Sequence, residues 1–152
     1  MERCDVGRLA QSALINGEKS VATVQVRPAA VENQYTATAG SYEINITPGS
    51  GLHPRSIDFL LLSLGTCIVG TVHNYMKRNG LRTDGLAIRL SCDLDEKANC
   101  YGDISAALEL GEGLTEKQIF ILSNVAKTCR IHKTLERKPA VKLEVSLSGG
   151  RE

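Results

Sequence analysis

The sequence predicts an α+β fold built on a mostly antiparallel sheet, and three observations carry that expectation. Short alternating runs early in the chain read as strands. One long apolar stretch without charge reads as a buried helix. A clean strand hairpin, an amphipathic helix and a last alternating run then complete the chain. Strands and helices are therefore segregated, without the regular strand–helix alternation of a parallel sheet.

Taken in order, Val21 to Arg27, Gln34 to Ala39 and Tyr42 to Thr47 are expected strands, the last two parted by Gly40. Pro48 to Pro54 is rich in Gly and Pro and reads as a loop. Ser56 is then a candidate N-cap, with Asp58 in the first turn where the helix dipole favours an anion. The helix is expected to run to about Asn79, because Lys77 and Arg78 supply cations to its last turn and Gly80 suits the left-handed residue beyond it. Its charge-free core, Phe59 to Val72, is too short to span a bilayer and must be surrounded by sheet on one side and by a helix or second subunit on the other.

Leu86, Ile88, Leu90, Cys92 and Leu94 alternate with small or polar residues, and Ile104, Ala106, Leu108 and Leu110 repeat the pattern, which gives a hairpin around Lys97–Cys100. Thr115 and Gln118 form a capping box for a second helix, whose inner face is Ile119, Leu122, Val125, Ala126 and Cys129. After an irregular piece, Val141, Leu143, Val145 and Leu147 are expected to make the final strand.

The 152 residues, 42% hydrophobic and 23% charged, suffice for a single domain over 1–152, with 1–18 as an N-terminal extension. A domain of this size buries roughly 68–70% of the surface its unfolded chain exposes, so disulfide staples are not required. A net charge of +1 gives no electrostatic reason to seek nucleic acid or an anionic membrane, and the absence of Trp removes the best base-stacking side chain. No apolar run of signal-peptide type follows Met1–Asp5, so the expected location is the cytoplasm and the five cysteines are expected to be reduced thiols. Neither Cys-x-x-Cys nor a His pair at ligand spacing occurs, so no metal is expected, and His53 and His73 have no partner at such spacing.

Cys67 sits mid-helix on a stripe with Ser63, Gly70, Thr71 and Asn74 that is smaller and more polar than its surroundings. It is either a packed core thiol or a nucleophile, and its own helix N-terminus is too far away to activate it, so a nearby Arg or Lys is expected in the second case. Cys129 ends the second helix among Lys127, Arg130 and Lys133, which either favour a thiolate or complement a helix C-terminus. His132, three residues on, could face Cys129 if the helix continued, as a Cys-His nucleophile. Cys92 is expected to be core filler, while Cys4 and Cys100 are expected to be exposed.

The segments Ser56–Cys67, Asn79–Leu81 and Ala126–Leu135 resemble the two cysteine helices of the OsmC/Ohr family, the osmotically inducible and organic hydroperoxide resistance proteins. The resemblance implies an intertwined homodimer around a central buried cysteine helix, and a thiol peroxidase acting on organic hydroperoxides in an oxidative stress response. It implies Cys67 as the thiol that attacks the peroxide and Cys129 as the one that resolves it as a disulfide. It implies no bound cofactor and an external dithiol reductant such as a lipoylated protein. Arg27 corresponds to the family's thiolate-stabilising arginine, with Arg55 or Arg130 as substitutes, and Asp58 is the acid nearest to the family's orienting Glu, whose own position is Ile57. Cys129 is followed by Arg130 where the family has Pro. On a regular helix Asp58 would lie opposite Cys67, leaving it to act from a non-helical start or across a dimer. The competing expectations are a non-catalytic redox sensor or small-molecule binder with the same fold, favoured by Ile57, and a Cys129–His132 hydrolase or acyl carrier.

Overall fold

The computed structural model describes residues 22–47, 51 and 54–146. The 1–18 extension, Cys4, His53, Leu147 and most of the loop from Pro48 to Pro54 lie outside them. The chain divides into two compact units, Met1–Pro54 and Arg55–Glu152.

The described part of the first unit is a three-stranded antiparallel sheet of β1 (Val24–Pro28), β2 (Tyr35–Ala39) and β3 (Tyr42–Ile46), in that order. Gly40, at φ 59°, makes the tight connection between β2 and β3 that a side chain with a Cβ rarely tolerates. The register pairs Val24 with Ala39 and Ala39 with Tyr42, and Val26 with Ala37 and Ala37 with Ile44. One face is therefore apolar. The other carries Arg27, Thr36 and Asn45 in one cross-strand row, with Thr36 buried and its hydroxyl donating to Asn45 Oδ1 at 3.0 Å.

The second unit is organised by α1 (Ser56–Arg78). Its N-cap is Arg55, one residue before the expected Ser56. Asp58 explains the shift: its carboxylate accepts the Arg55 backbone N–H at 2.8 Å and the guanidinium at 2.9 and 3.1 Å, so the cap is closed from the third helical residue. At the other end Lys77 and Arg78 occupy the last turn, and Gly80 at φ 66° follows, as the sequence implies. With its polar ends α1 reaches 23 residues, long and apolar enough by length and composition to cross a membrane. Here its Leu64, Ile68, Val72 and Met76 side is packed against protein, whereas Leu60 and Leu62 are exposed, so among the described residues of this unit the helix is enclosed on one side only.

The hairpin forms with one interruption. β4 (Ala87–Ser91) pairs with β7 (Ser105–Glu109), and β5 (Leu94–Asp95) pairs with β6 (Cys100–Tyr101) beyond a break at Cys92–Asp93. The Asp95 carboxylate accepts the N–H groups of Lys97 and Ala98, both at 3.0 Å, and closes the tip. Ile88 and Leu90 point toward α1, and Gly65 allows the approach: a Cβ there would lie 2.9 Å from Leu90 Cδ1. The Thr115–Gln118 capping box opens α2 (Glu116–Ala126), and Leu122 of α2 is fully buried with Val72 and Met76. Burial on this scale stabilises by about 1.5–3 kcal/mol per large apolar side chain.

Three sequence expectations are corrected. Ile119 is exposed, not on the inner face of α2. The second helix stops at Ala126, and α3 (Arg130–Glu136) begins after a link in which Thr128 Oγ1 donates to Val125 O at 2.7 Å and Cys129 N to Ala126 O at 3.3 Å. Residues 141–146 form no strand: Val141, Leu143 and Val145 keep the alternation but are 93%, 85% and 88% exposed, because no strand among the described residues pairs with them.

Candidate active site

Cys129 is the N-cap residue of α3, not the end of α2, and it is 1% exposed. It shares an apolar cluster with Leu64 and Ile68 of α1, against which Cys67, Ile131 and Leu135 pack. The two cysteines predicted to act together are thus brought into one cluster, Cys67 half-buried and Cys129 buried, and both are free thiols.

Their acidities diverge. Burial pushes the Cys67 thiol up, but four groups outweigh it: the Cys129 thiol, the backbone N–H groups of Ile131 and Arg130, and the Thr71 hydroxyl all favour a thiolate, and the balance lies below the ordinary thiol value. Thr71 is fixed at this place because its hydroxyl also donates to the Cys67 carbonyl at 2.7 Å. Cys129 moves the other way. Burial and the interaction with the Cys67 sulfur both raise it, and the N–H groups of His132 and Ile131 offset this only in part. Its side chain makes no cap hydrogen bond, so those N–H groups act on it as dipoles. The arrangement favours the shared proton on the buried sulfur and thiolate character on the more accessible one.

The activating groups differ from those the sequence suggested. Cys67 is served by the first N–H groups of another helix, and none of the second unit's groups that lower it carries a charge. Arg130, Lys127 and Lys133 are exposed, and Arg130 contributes its backbone, not its guanidinium. This was missed because the break before Cys129 is not written in local propensity: Lys127–Lys133 continues a helical pattern, and only the packing of α3 on α1 ends it.

Asp58 lies on the far side of α1. The helix is regular from 56 to 78, so the step from 58 to 67 at about 100° per residue places the two side chains on opposite faces, roughly 13–14 Å apart along the axis. Its carboxyl is held below the usual carboxylate range by hydrogen bonds from the Arg55 side chain and backbone, which is the role of a first-turn helix anion. The non-helical start that would bring it toward Cys67 is not present. Arg27 is exposed on β1 of the first unit.

His132 does not serve Cys129 as a base in this geometry. Its Nε2 is 3.0 Å from Glu136 Oε1, and what it presents to Cys129 is its backbone N–H. Cys100 is exposed, as expected, whereas Cys92, expected as core filler, is only half-buried in the break between β4 and β5 and belongs to neither core cluster. Among the described residues no three His, Cys, Asp or Glu side chains converge as a metal site would require. On the Asp58 side, α1 and β4 border an open apolar groove of about 690 Å³, lined among others by Leu62, Gly65, Val69, His73 and Ile88 but not by Cys67.

Comparisons with known proteins agree with this architecture. The family model for OsmC-like proteins matches residues 49–144, which include α1, the hairpin, α2 and α3. The structure is similar to that of an OsmC-like protein from Mycoplasma pneumoniae, with a TM-score of 0.66 at 15% identity over 78% of this chain and 89% of that one. It is also similar to the organic hydroperoxide resistance protein OhrB of Bacillus subtilis, with a TM-score of 0.52 at 16% identity over 76% and 90% of the two chains. A third similar structure is an organic hydroperoxide resistance protein OsmC from Legionella pneumophila, with a TM-score of 0.56 at 9% identity over 76% and 89%. No curated protein sequence matches the chain. With both cysteine segments inside the matched region and the α+β arrangement shared with these structures, the chain belongs to the OsmC-like family.

Proposed function

We propose that the protein is a cysteine-dependent peroxidase that reduces organic hydroperoxides, working as a cytoplasmic homodimer with an external dithiol reductant such as a lipoylated protein. The observation that carries this reading is the opposed acidity of two adjacent thiols, Cys67 lowered and half-exposed, Cys129 raised and buried. Membership of the OsmC-like family and similarity to structures named for hydroperoxide resistance support it.

In the first step the Cys67 thiolate attacks the distal peroxide oxygen, the O–O bond breaks, and the leaving alkoxide takes a proton to give an alcohol. Cys67 is now a sulfenic acid. Cys129 attacks its sulfur, the S–O bond breaks, hydroxide leaves as water with the Cys129 proton, and a Cys67–Cys129 disulfide remains. The dithiol reductant returns both thiols and becomes a disulfide itself. Arg27 completes the thiolate site in this reading, and Asp58 takes part only from the second protomer, since within its own chain it faces away.

The test is intact-mass analysis and disulfide mapping of reduced protein after one equivalent of cumene hydroperoxide, followed by a dithiol chase. Loss of two hydrogens with a Cys67–Cys129 bridge that the dithiol reverses is expected. Unchanged mass, or oxidation at Cys4 and Cys100 only, overturns the reading. The Arg55–Asp58 pairing favours a second reading, a redox sensor, because it engages the nearest acid away from the thiol. A sensor would oxidise once, slowly, and would not cycle with a dithiol.

A further inference from the structure

The donors that face Cys67 and the placement of Cys129 beside it belong to the start of α3, a helix too short to hold itself. Isolated helices below about 12–15 residues are marginal in water, and α3 has 7. None of its residues is fully buried, and the Cys129 side chain does not cap its N-terminus with a hydrogen bond. Arg130, Lys133, Thr134 and Glu136 are exposed, and His132 is paired with Glu136. That leaves Ile131 and Leu135, four residues apart and hence on one face, both half-buried against the Leu64–Ile68–Cys129 cluster.

The link from α2 fixes where the turn begins, through Thr128 to Val125 and Cys129 N to Ala126 O. It does not fix the direction in which α3 leaves. That direction decides whether the N–H groups of Arg130 and Ile131 reach Cys67 and whether the Cys129 sulfur stays beside it. Ile131 lies within the turn itself, whereas Leu135 lies a full turn further on and acts at the longer arm.

We propose that Leu135 is a positioning residue for the thiol pair: by clamping the far end of α3 onto α1 it holds the Cys129–Ile131 turn over Cys67. Leu135 touches no reacting atom; it works through the rigid body of α3. The titratable neighbour of the Cys67 sulfur is Cys129, while the charged side chains of the link and of α3, Lys127, Arg130, Lys133 and Glu136, are exposed. The inference deepens the peroxidase reading and rests on it only for its effect on turnover.

The experiment uses the full chain and needs no hydroperoxide. Iodoacetamide labelling of Cys67, located by peptide mapping across pH, reports the thiolate; the rate of Cys67–Cys129 disulfide formation with diamide reports the alignment. Leu135→Ala is expected to move the labelling midpoint upward and to slow disulfide formation by roughly ten-fold, within the range that small misplacements of reacting groups produce. Leu135→Met, which keeps the apolar arm, is expected to restore both. A folded Leu135→Ala with unchanged midpoint and rate overturns the proposal, as does a Leu135→Met that behaves like alanine. Should Leu135→Ala fail to fold, Leu135→Val must show the same direction of change at smaller size, and no change there overturns it equally. A wild-type chain that labels at low pH yet consumes no hydroperoxide would defeat the peroxidase reading and leave this one standing.

Discussion

The two faces of α1 carry unlike chemistry. One bears Cys67 beneath the first turn of α3, with the sulfur surrounded by neutral donors. The other bears Asp58, tied to Arg55, beside an apolar groove along β4. A single helix thus holds an acid and a thiol half a rotation apart, and the thiol is acidified without the acid. The contrast teaches that the groups of the second unit that lower Cys67 are backbone dipoles, the Thr71 hydroxyl and a neighbouring sulfur, which residue identity alone does not reveal.

Removing the thiol is the severest way to break this contrast. Cys67→Ser is expected to abolish hydroperoxide consumption, while Cys129→Ser is expected to keep one turnover and leave a sulfenic acid that dimedone traps; consumption surviving Cys67→Ser would move the chemistry to another residue. Packing separates the faces next. Leu64→Ala, on the buried side, is expected to cost about 2–5 kcal/mol in urea unfolding, against about 0.5 kcal/mol or less for the exposed Leu62→Ala. A cost at Leu62 comparable to that at Leu64, with a concentration-dependent transition, would mean that a second protomer covers the groove.

A subtler test addresses the donors. Cys129→Ala removes a donor and is expected to raise the pH midpoint of Cys67 alkylation, whereas Cys129→Ser, whose hydroxyl still donates, should lie nearer the wild type. Equal midpoints for Ser and Ala would remove Cys129 from the list of activating groups. Because the folded value at Cys67 is depressed, this group's contribution to stability is present above the ordinary thiol value and is lost as pH falls through the folded one; at Cys129 the sign reverses, and the contribution fades as pH rises. The smallest effect belongs to Asp58→Asn. Its depressed carboxyl contributes stability above the ordinary carboxylate range that is lost in acid, so the variant should be slightly less stable near neutral pH and show a flatter acid limb. With Asp58 of a second protomer at the thiol, the Cys67 midpoint should move as well; an unmoved midpoint would take Asp58 out of the site.

Much of the fold was legible because local signals and packing agree. The Thr115–Gln118 box, the cations and Gly80 at the end of α1, and the period-two run through Ile88 and Leu90 each mark a structure that forms. Where they disagree, the sequence misleads. Arg55 displaces Ser56 as the cap because the Asp58 carboxylate reaches back to it. Val141, Leu143 and Val145 alternate like a strand, but a strand needs a neighbour, and the described residues offer them none. At the site, the pair Cys67 and Cys129 was legible through the resemblance to the OsmC/Ohr family, but not the bend that places Cys129 at a cap, since that bend is made by contacts between distant segments.

The N–H of Ile131 bears on both sulfurs at once. One donor with two claimants makes a relay. While Cys67 is an anion it attracts that dipole and also keeps the proton on Cys129. Once Cys67 is a neutral sulfenic acid, both influences lapse: the negative charge that burdened Cys129 has gone, and the dipole is free to turn to it. In the proposed cycle the second thiol would then ionise only after the first has been spent, and a shared amide would set the order of events without a separate clock.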